Sequence, residues 1–249
     1  NIVAKDSMDD TDGSLELNGA WDVDTFTIDS STSTTTYAIV ASYADDGVQI
    51  IDISDVDNLV AKDSMTDAGS LVLDAAFSVD VFTIGSSTYA IVASRGDLVN
   101  SIYQNDGVQI IDISDPTDIV AKDSMDDTDS LVLNGAMGVD TFTIGDSTYA
   151  IVTSSIDDGV QIIDISDVDN IVAKDSVTDG DAGGFDELDG ARGVDVFTIG
   201  SSTYAIVTAW TDDGVQVIDI SDVDNLVATD SLGDNGSLAL DAARHVHVF

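Results

Sequence analysis

Residues 158–176 read Asp-Gly-Val-Gln-Ile-Ile-Asp-Ile-Ser-Asp-Val-Asp-Asn-Ile-Val-Ala-Lys-Asp-Ser, and nearly the same words stand elsewhere in the chain. The opening phrase also begins at Asp46 and Asp106, and, with Val217 replacing an Ile, at Asp213. The closing phrase, Val-Ala-Lys-Asp-Ser, recurs at Val3, Val60 and Val120, and as Val-Ala-Thr-Asp-Ser at Val227. Spacings of 52 to 60 residues between copies mean one supersecondary unit repeated end to end. Positions that stay fixed between copies are architecture; positions that vary are free to carry something else.

Each full unit holds segments rich in Val, Ile, Thr, Tyr and Phe, bounded by Gly, Asp and Ser turns, which is the composition of short strands. The first covers 23–28, with counterparts at 79–84, 139–144 and 194–199. The second is Tyr-Ala-Ile-Val at Tyr37, Tyr89, Tyr149 and Tyr204. The third starts at Gly47, Gly107, Gly159 and Gly214, the fourth at Leu59, Ile119, Ile171 and Leu226. Gly85, Gly145 and Gly200 open short hairpin loops, and the single proline, Pro116, sits in a turn.

The second and third strands are apolar on both faces, as Ala38-Ile39-Val40 and Val48, Ile50, Ile51 and Ile53 show. A strand buried on both sides needs a sheet above and below it. The expected fold is therefore all-β: a β-propeller of four-stranded antiparallel blades. A β-helix has shorter repeats, and the period-2 pattern excludes helical ones. Residues 1–8 read as a lone fourth strand and 242–249 as a lone first strand. The expectation is five blades, four complete and one split between the termini. Residues 1–249 are read as a single propeller domain, a mature product or a piece of a longer repeat protein.

The chain has 48 acidic residues against 7 basic ones, a net charge of −41. Such a field repels nucleic acid and anionic membrane surfaces and attracts cations. No apolar run approaches the ~20 residues that span a bilayer. Self-repulsion on this scale suggests a saline or calcium-rich medium. With no cysteine, disulfides and thiolate metal sites are excluded. A Ser/Thr/Asp/Gly-rich surface suits an extracellular or cell-surface location; the alternative is the cytoplasm of a salt-loving organism. The lysines in register at Lys5, Lys62, Lys122 and Lys174 read as guards on the outer edge strand of each blade.

The runs Tyr-Ala-Ile-Val and Gly-Val-Gln-Ile-Ile-Asp-Ile-Ser-Asp-Pro-Thr-Asp-Ile-Val-Ala, the latter at 107–121, resemble the LVIVD repeat of bacterial and archaeal surface-associated proteins. Three of the copies depart from it by writing Val-Asp-Asn where that repeat has a proline-containing turn. The resemblance implies propeller blades and an exterior location. It implies no reaction.

Aligned first strands read Trp21-Asp22-Val23-Asp24, Phe77-Ser78-Val79-Asp80, Met137-Gly138-Val139-Asp140, Arg192-Gly193-Val194-Asp195 and Arg244-His245-Val246-His247. The Val is fixed, and the residues before it vary. The loop between second and third strands reaches the same rim and carries Tyr43, Trp210 and, in an enlarged copy over 95–105, Arg95. Trp21, Tyr43, Phe77, Arg95, Met137, Arg192, Trp210 and Arg244 are thus candidate ligand-binding residues. Rings and arginines are hot-spot chemistry, rings stack on sugars, and arginine forks carboxylates. The competing reading makes Trp21, Phe77 and Met137 a plug in the channel mouth.

Acidic loops offer candidate calcium ligands at Asp10, Asp12, Asp46, Asp127, Asp129, Asp158, Asp179, Asp181 and Asp213, since calcium takes six to eight oxygens. Asx-turns explain many such residues without metal. The ring of Asp24, Asp80, Asp140 and Asp195, with His247, must bind a cation, take up protons or hydrogen-bond to neighbouring blades. Asn235-Gly-Ser237 is a glycosylation sequon.

Three functions follow. The leading expectation is a non-catalytic, calcium-stabilised module for adhesion or extracellular assembly, whose partners are other extracellular proteins, glycans or copies of itself. The second is a carbohydrate- or peptide-binding platform at the arginine–aromatic rim. The third is a metal-dependent lyase or hydrolase using His245 and His247 with the Asp ring. Catalysis is not expected: the histidines are only these two, and phosphate chemistry would have only Arg95, Arg192 and Arg244 to draw on.

Overall fold

Branched and aromatic side chains at alternating positions favour a pleated, half-buried surface, and each unit folds into antiparallel strands accordingly. A computed structural model describes residues 3–11, 13–29, 33–99, 102–127, 130–234, 236, 238 and 240–249. Blade 1 holds β1 (Ala20–Asp29), β2 (Thr34–Ser42), β3 (Gly47–Asp52) and β4 (Val60–Thr66). Blade 2 holds β5 (Ala76–Ile84), β6 (Ser87–Ser94), β9 (Gly107–Asp112) and β10 (Val120–Asp126). A small hairpin of β7 (Asp97–Val99) and β8 (Ile102–Gln104) is inserted in this blade. Blade 3 runs through β11 (Ala136–Ile144), β12 (Ser147–Ser154), β13 (Gly159–Asp164) and β14 (Val172–Thr178). Blade 4 runs through β15 (Ala191–Ile199), β16 (Ser202–Ala209), β17 (Gly214–Asp219) and β18 (Val227–Gly233). Each is a four-stranded sheet whose strands pair in chain order, and no helix occurs among the described residues.

The blades are sandwiched through their apolar faces. Ile39, Val48 and Ile50 of blade 1 meet Leu73, Val92 and Ile111 of blade 2. Ile91, Val108 and Ile110 meet Val152, Ile163 and Ile165 of blade 3, and Ile151, Val160 and Ile162 meet Val207, Ile218 and Ile220 of blade 4. All of these are wholly buried, each burial stabilising the fold by about 1.5–3 kcal/mol.

Two expectations are corrected. Among the described residues four blades are present, not five. Residues 3–8 and 242–249 lie beside their neighbours but form no strand, because neither has a sheet neighbour to ladder with. The first strands also begin earlier than expected, at Ala20, Ala76, Ala136 and Ala191. The residues ahead of the fixed Val are drawn into each strand through a register irregularity, between Ala20 and Asp22 in blade 1 and between Ala136 and Val139 in blade 3.

The fixed Gln of each third strand sits opposite a second irregularity, where the outer strand slips register. In blade 3 Gln161 Nε2 donates to the carbonyls of Ile162, Lys174 and Asp175, at 3.0, 3.2 and 3.2 Å. Its Oε1 accepts from Val132 N–H at 3.3 Å. One buried amide thus satisfies the backbone groups that the bulge orphans. Gln49 and Gln109 repeat the arrangement.

The acidic residues tie blade to blade, always in the same direction. On the channel side, Oδ2 of Asp24, Asp80, Asp140 and Asp195 accepts from the N–H of Val81, Thr141, Val196 and Val248, at 2.8, 2.9, 2.6 and 2.6 Å. On the outer edge, Asp6, Asp63, Asp123 and Asp175 accept from Leu59, Ile119, Ile171 and Leu226, at 2.9, 2.9, 2.9 and 2.8 Å. Lys5, Lys122 and Lys174 reinforce that edge by reaching Asp57, Asp169 and Asp224 of the following unit, whereas Lys62 stays with Asp52 of its own. Such surface pairs add little to stability.

Burial, with the Asp24 carboxylate adding to it, pushes Asp80 up to about 6. Burial and then Asp80 and Asp195 hold Asp140 well above the ordinary carboxylate range. Burial and the neighbouring Asp97 push Asp74 up to about 6. A carboxyl whose folded pKa exceeds its unfolded value favours folding while protonated. That stabilisation is complete below about pH 4 and is lost as pH rises through about 6.

The melting temperature therefore falls between about pH 4 and pH 7 at constant ionic strength, and Asp140→Asn, which keeps an acceptor for Val196 N–H, flattens the fall. A melting temperature that rises over that interval would contradict the buried ring. In urea, Gln161→Leu lowers stability by about 1–3 kcal/mol, the cost of leaving its backbone partners unsatisfied; an unchanged midpoint would show that the bulge satisfies itself.

Candidate functional site

The irregularities at the start of each first strand re-aim the variable residues onto the mouth of the channel. Trp21, Phe77, Met137, Arg192 and Arg244 surround a cavity of about 170 Å³ there. The remaining rim candidates flank it. Tyr43 packs edge-on against Phe77 with ring centroids 5.2 Å apart, and Trp21 does so at 4.7 Å. Arg95 lies over the Phe77 ring at 5.9 Å. Arg192 and Arg244 both lie over Trp210, at 4.4 and 4.0 Å. The structure thus brings all of the sequence-predicted rim residues together.

Plug and wall are different residues. Phe77 and Met137 are buried and floor the mouth. Trp21 keeps 45% of its surface exposed and Tyr43 39%, so their rings remain available from solvent.

Glycine decides how closely the arginine strands approach. A Cβ on Gly138 would sit 2.3 Å from the Arg192 carbonyl oxygen, and one on Gly193 would sit 2.6 Å from that of Arg244. Thr153 and Thr208 take up the space that the glycines leave. Gly138 N–H donates to Thr153 Oγ1 at 2.8 Å, and that hydroxyl donates to the Arg192 carbonyl at 2.6 Å. Gly193 N–H donates to Thr208 Oγ1 at 3.0 Å. Blades 1 and 2 solve the same problem from the other strand: Asp22 and Ser78 carry the polar atoms, and their partners are Ala41 and Ala93. Thr153 and Thr208 were not expected at the site. Their signal was the paired exchange of Gly for Asp or Ser with Thr for Ala between copies.

Burial, with Arg244 and Arg95 nearby, holds the Arg192 guanidinium below its ordinary value. Its buried Nε has no hydrogen-bond partner. Asp22, which also lines the cavity, spends its oxygens on Val23 N–H, Val79 N–H and the Ser78 hydroxyl.

The described candidate calcium ligands are each engaged with backbone groups of the chain. Among the described residues no three of His, Asp and Glu form a metal-holding group. Asp46, Asp158 and Asp213 hold φ near +54° at the turn before the third strand and accept from Ala75, Gly190 and Ala242 N–H, at 3.0, 2.8 and 2.6 Å. Aspartate tolerates that left-handed conformation, and its carboxylate makes a third tie to the next blade. Asp106 plays the same part toward Gly135. Asp10 accepts from Leu15, Asp179 from Leu188 and Asp181 from Thr178. Asp127 N–H donates to the Asp106 carbonyl at 2.8 Å. Asp12 and Asp129 lie outside the described residues, as do Asn235 and Ser237 of the sequon. His245 lines the cavity, whereas His247 Nδ1 lies 3.1 Å from Asp195 Oδ2.

No protein-family model and no curated protein matches the chain. Solved structures do resemble it. A periplasmic gluconolactonase of Pseudomonas aeruginosa superposes with a TM-score of 0.58 at 13% identity, over 81% of this chain and 55% of that one. A GH32 β-fructofuranosidase of Bombyx mori gives 0.52 at 11%, over 86% and 50%. The Aleuria aurantia lectin in complex with α-methyl-L-fucoside gives 0.51 at 8%, over 86% and 61%. The chain spans about half the length of such structures, and at these identities the likeness is one of fold: a β-propeller. It corrects the expectation that the chain is no enzyme. Two of these proteins are enzymes on the same architecture, so the fold gives no ground for excluding catalysis.

Trp21 and Trp210 are the only tryptophans, which makes the rim observable. In a Trp21→Phe background, Arg244→Ala uncovers Trp210 and raises its acrylamide quenching at least twofold, and Gly193→Ala does so in part by displacing the segment that carries Arg244. Unchanged quenching in Arg244→Ala would remove the stacked arrangement.

Proposed function

We propose that this chain is a carbohydrate-binding β-propeller that takes a saccharide at the mouth of its channel. The observation that carries the reading is the exposed Trp21 lining one cavity with Arg192 and Arg244, with Tyr43 exposed beside it against Phe77. An aromatic face offers a sugar ring its apolar side, while guanidinium N–H groups reach the ring's oxygens. The floor of Phe77 and Met137 excludes water beneath. The lectin among the similar structures holds a fucoside, and the β-fructofuranosidase is named for a sugar, which agrees with the reading. On this reading the protein works outside the cell, where free glycans are met.

A glycan array probed with the wild type, Trp21→Ala and Arg192→Ala tests it. Each substitution lowers the signal of the bound glycans at least tenfold while the melting temperature holds. Identical profiles for all of them would refute the site.

A further inference from the structure

We propose that the saccharide is anionic, bearing a single terminal carboxylate that Arg192 and Arg244 hold; this rests on the sugar-binding reading above. The basic residues of the chain are divided sharply by place. Every lysine sits on an outer edge strand or its equivalent in residues 3–8, and each is paired with an aspartate. All the arginines, Arg95, Arg192 and Arg244, gather at the channel mouth. In a chain of net charge −41, arginines brought together against their mutual repulsion mark a place kept for an incoming anion.

Among the described residues, no ion pair joins Arg192 or Arg244 to a carboxylate. Asp22, the acidic residue in the cavity wall, already accepts three hydrogen bonds from its own strand and the next. Arg192 Nε is buried without an acceptor. A guanidinium that rests its face on an aromatic ring keeps its N–H edge for a planar oxyanion, and Trp210 supports both arginines in this way. Trp21 and Tyr43 remain for the sugar ring. Around this cluster the chain as a whole carries a net charge of −41. That field repels a polyanion, so one carboxylate at a chain end is admitted where a run of them is not.

The test is an array of matched pairs: glycans ending in a uronic or sialic acid, the same glycans with that carboxyl reduced to an alcohol, a polygalacturonate, and peptides ending in a free carboxylate. The terminal acids bind at least tenfold more strongly than their reduced counterparts, and the preference collapses in Arg192→Ala and Arg244→Ala. Trp21→Ala weakens acid and alcohol alike. The polygalacturonate binds less well than the singly charged ends. Equal binding of acid and alcohol would overturn the carboxylate and leave the sugar site standing. Binding of the peptides without any glycan, or of nothing, would overturn both.

Discussion

An aspartate on one blade taking the backbone N–H of the next is the contact on which this molecule depends. The innermost strand of a propeller blade is an edge, and an edge presents unpaired donors. Asp24, Asp80 and Asp140 satisfy those donors on the channel side, and Asp46, Asp106 and Asp158 do so at the turn above. The outer rim is closed by Asp63, Asp123 and Asp175. The acidity of the chain is thus largely a building material. Charge-assisted hydrogen bonds of this kind are worth about 1.5–3 kcal/mol before the cost of burial. Burial takes back part of it, as the raised pKa of Asp80 shows. What survives is register: the apolar faces can slide on one another, the carboxylates cannot.

Pinning the inner strands at the aspartate frees the residues just ahead of it. That is where the repeats differ, and where the rim is made. Gly138 and Gly193 let neighbouring backbones close to a distance that any side chain would forbid, and Thr153 and Thr208 refill the space with a hydroxyl. Arg192 is consequently carried on the start of a strand, with the Arg244 backbone packed closely against it. Their positions are properties of the scaffold, as a recognition site needs.

Much of this was legible in the sequence. Strands such as Gly159–Asp164 announce themselves because Ile and Val occupy both faces, and only a stacked sheet can use them. The rim was visible as variation beside a fixed Val. Gln161 was not interpretable, because its meaning lies in a register slip on another strand. Asp46 and Asp158 read as metal ligands or turn formers, since the N–H that each accepts belongs to a unit about thirty residues on. The terminal segments carry the repeat's words without its state: Asp6 keeps its contact to Leu59, but a strand also requires a ladder partner. The stacking of Arg192 and Arg244 on Trp210 depends on backbone spacing set by glycines, which no pattern of side chains spells out.

All the ties point one way along the chain, from a carboxylate to the amide of the following copy. Such a junction is heterologous: it has a giving side and a receiving side, and every unit owns one of each. Gene duplication could lengthen or shorten the series without inventing a new surface, since a copy inserted at any place finds both neighbours already fitted to it. How many copies make a ring is then governed by wedge angle, not by chemistry. A family built on this plan can evolve its circumference and its ligand independently.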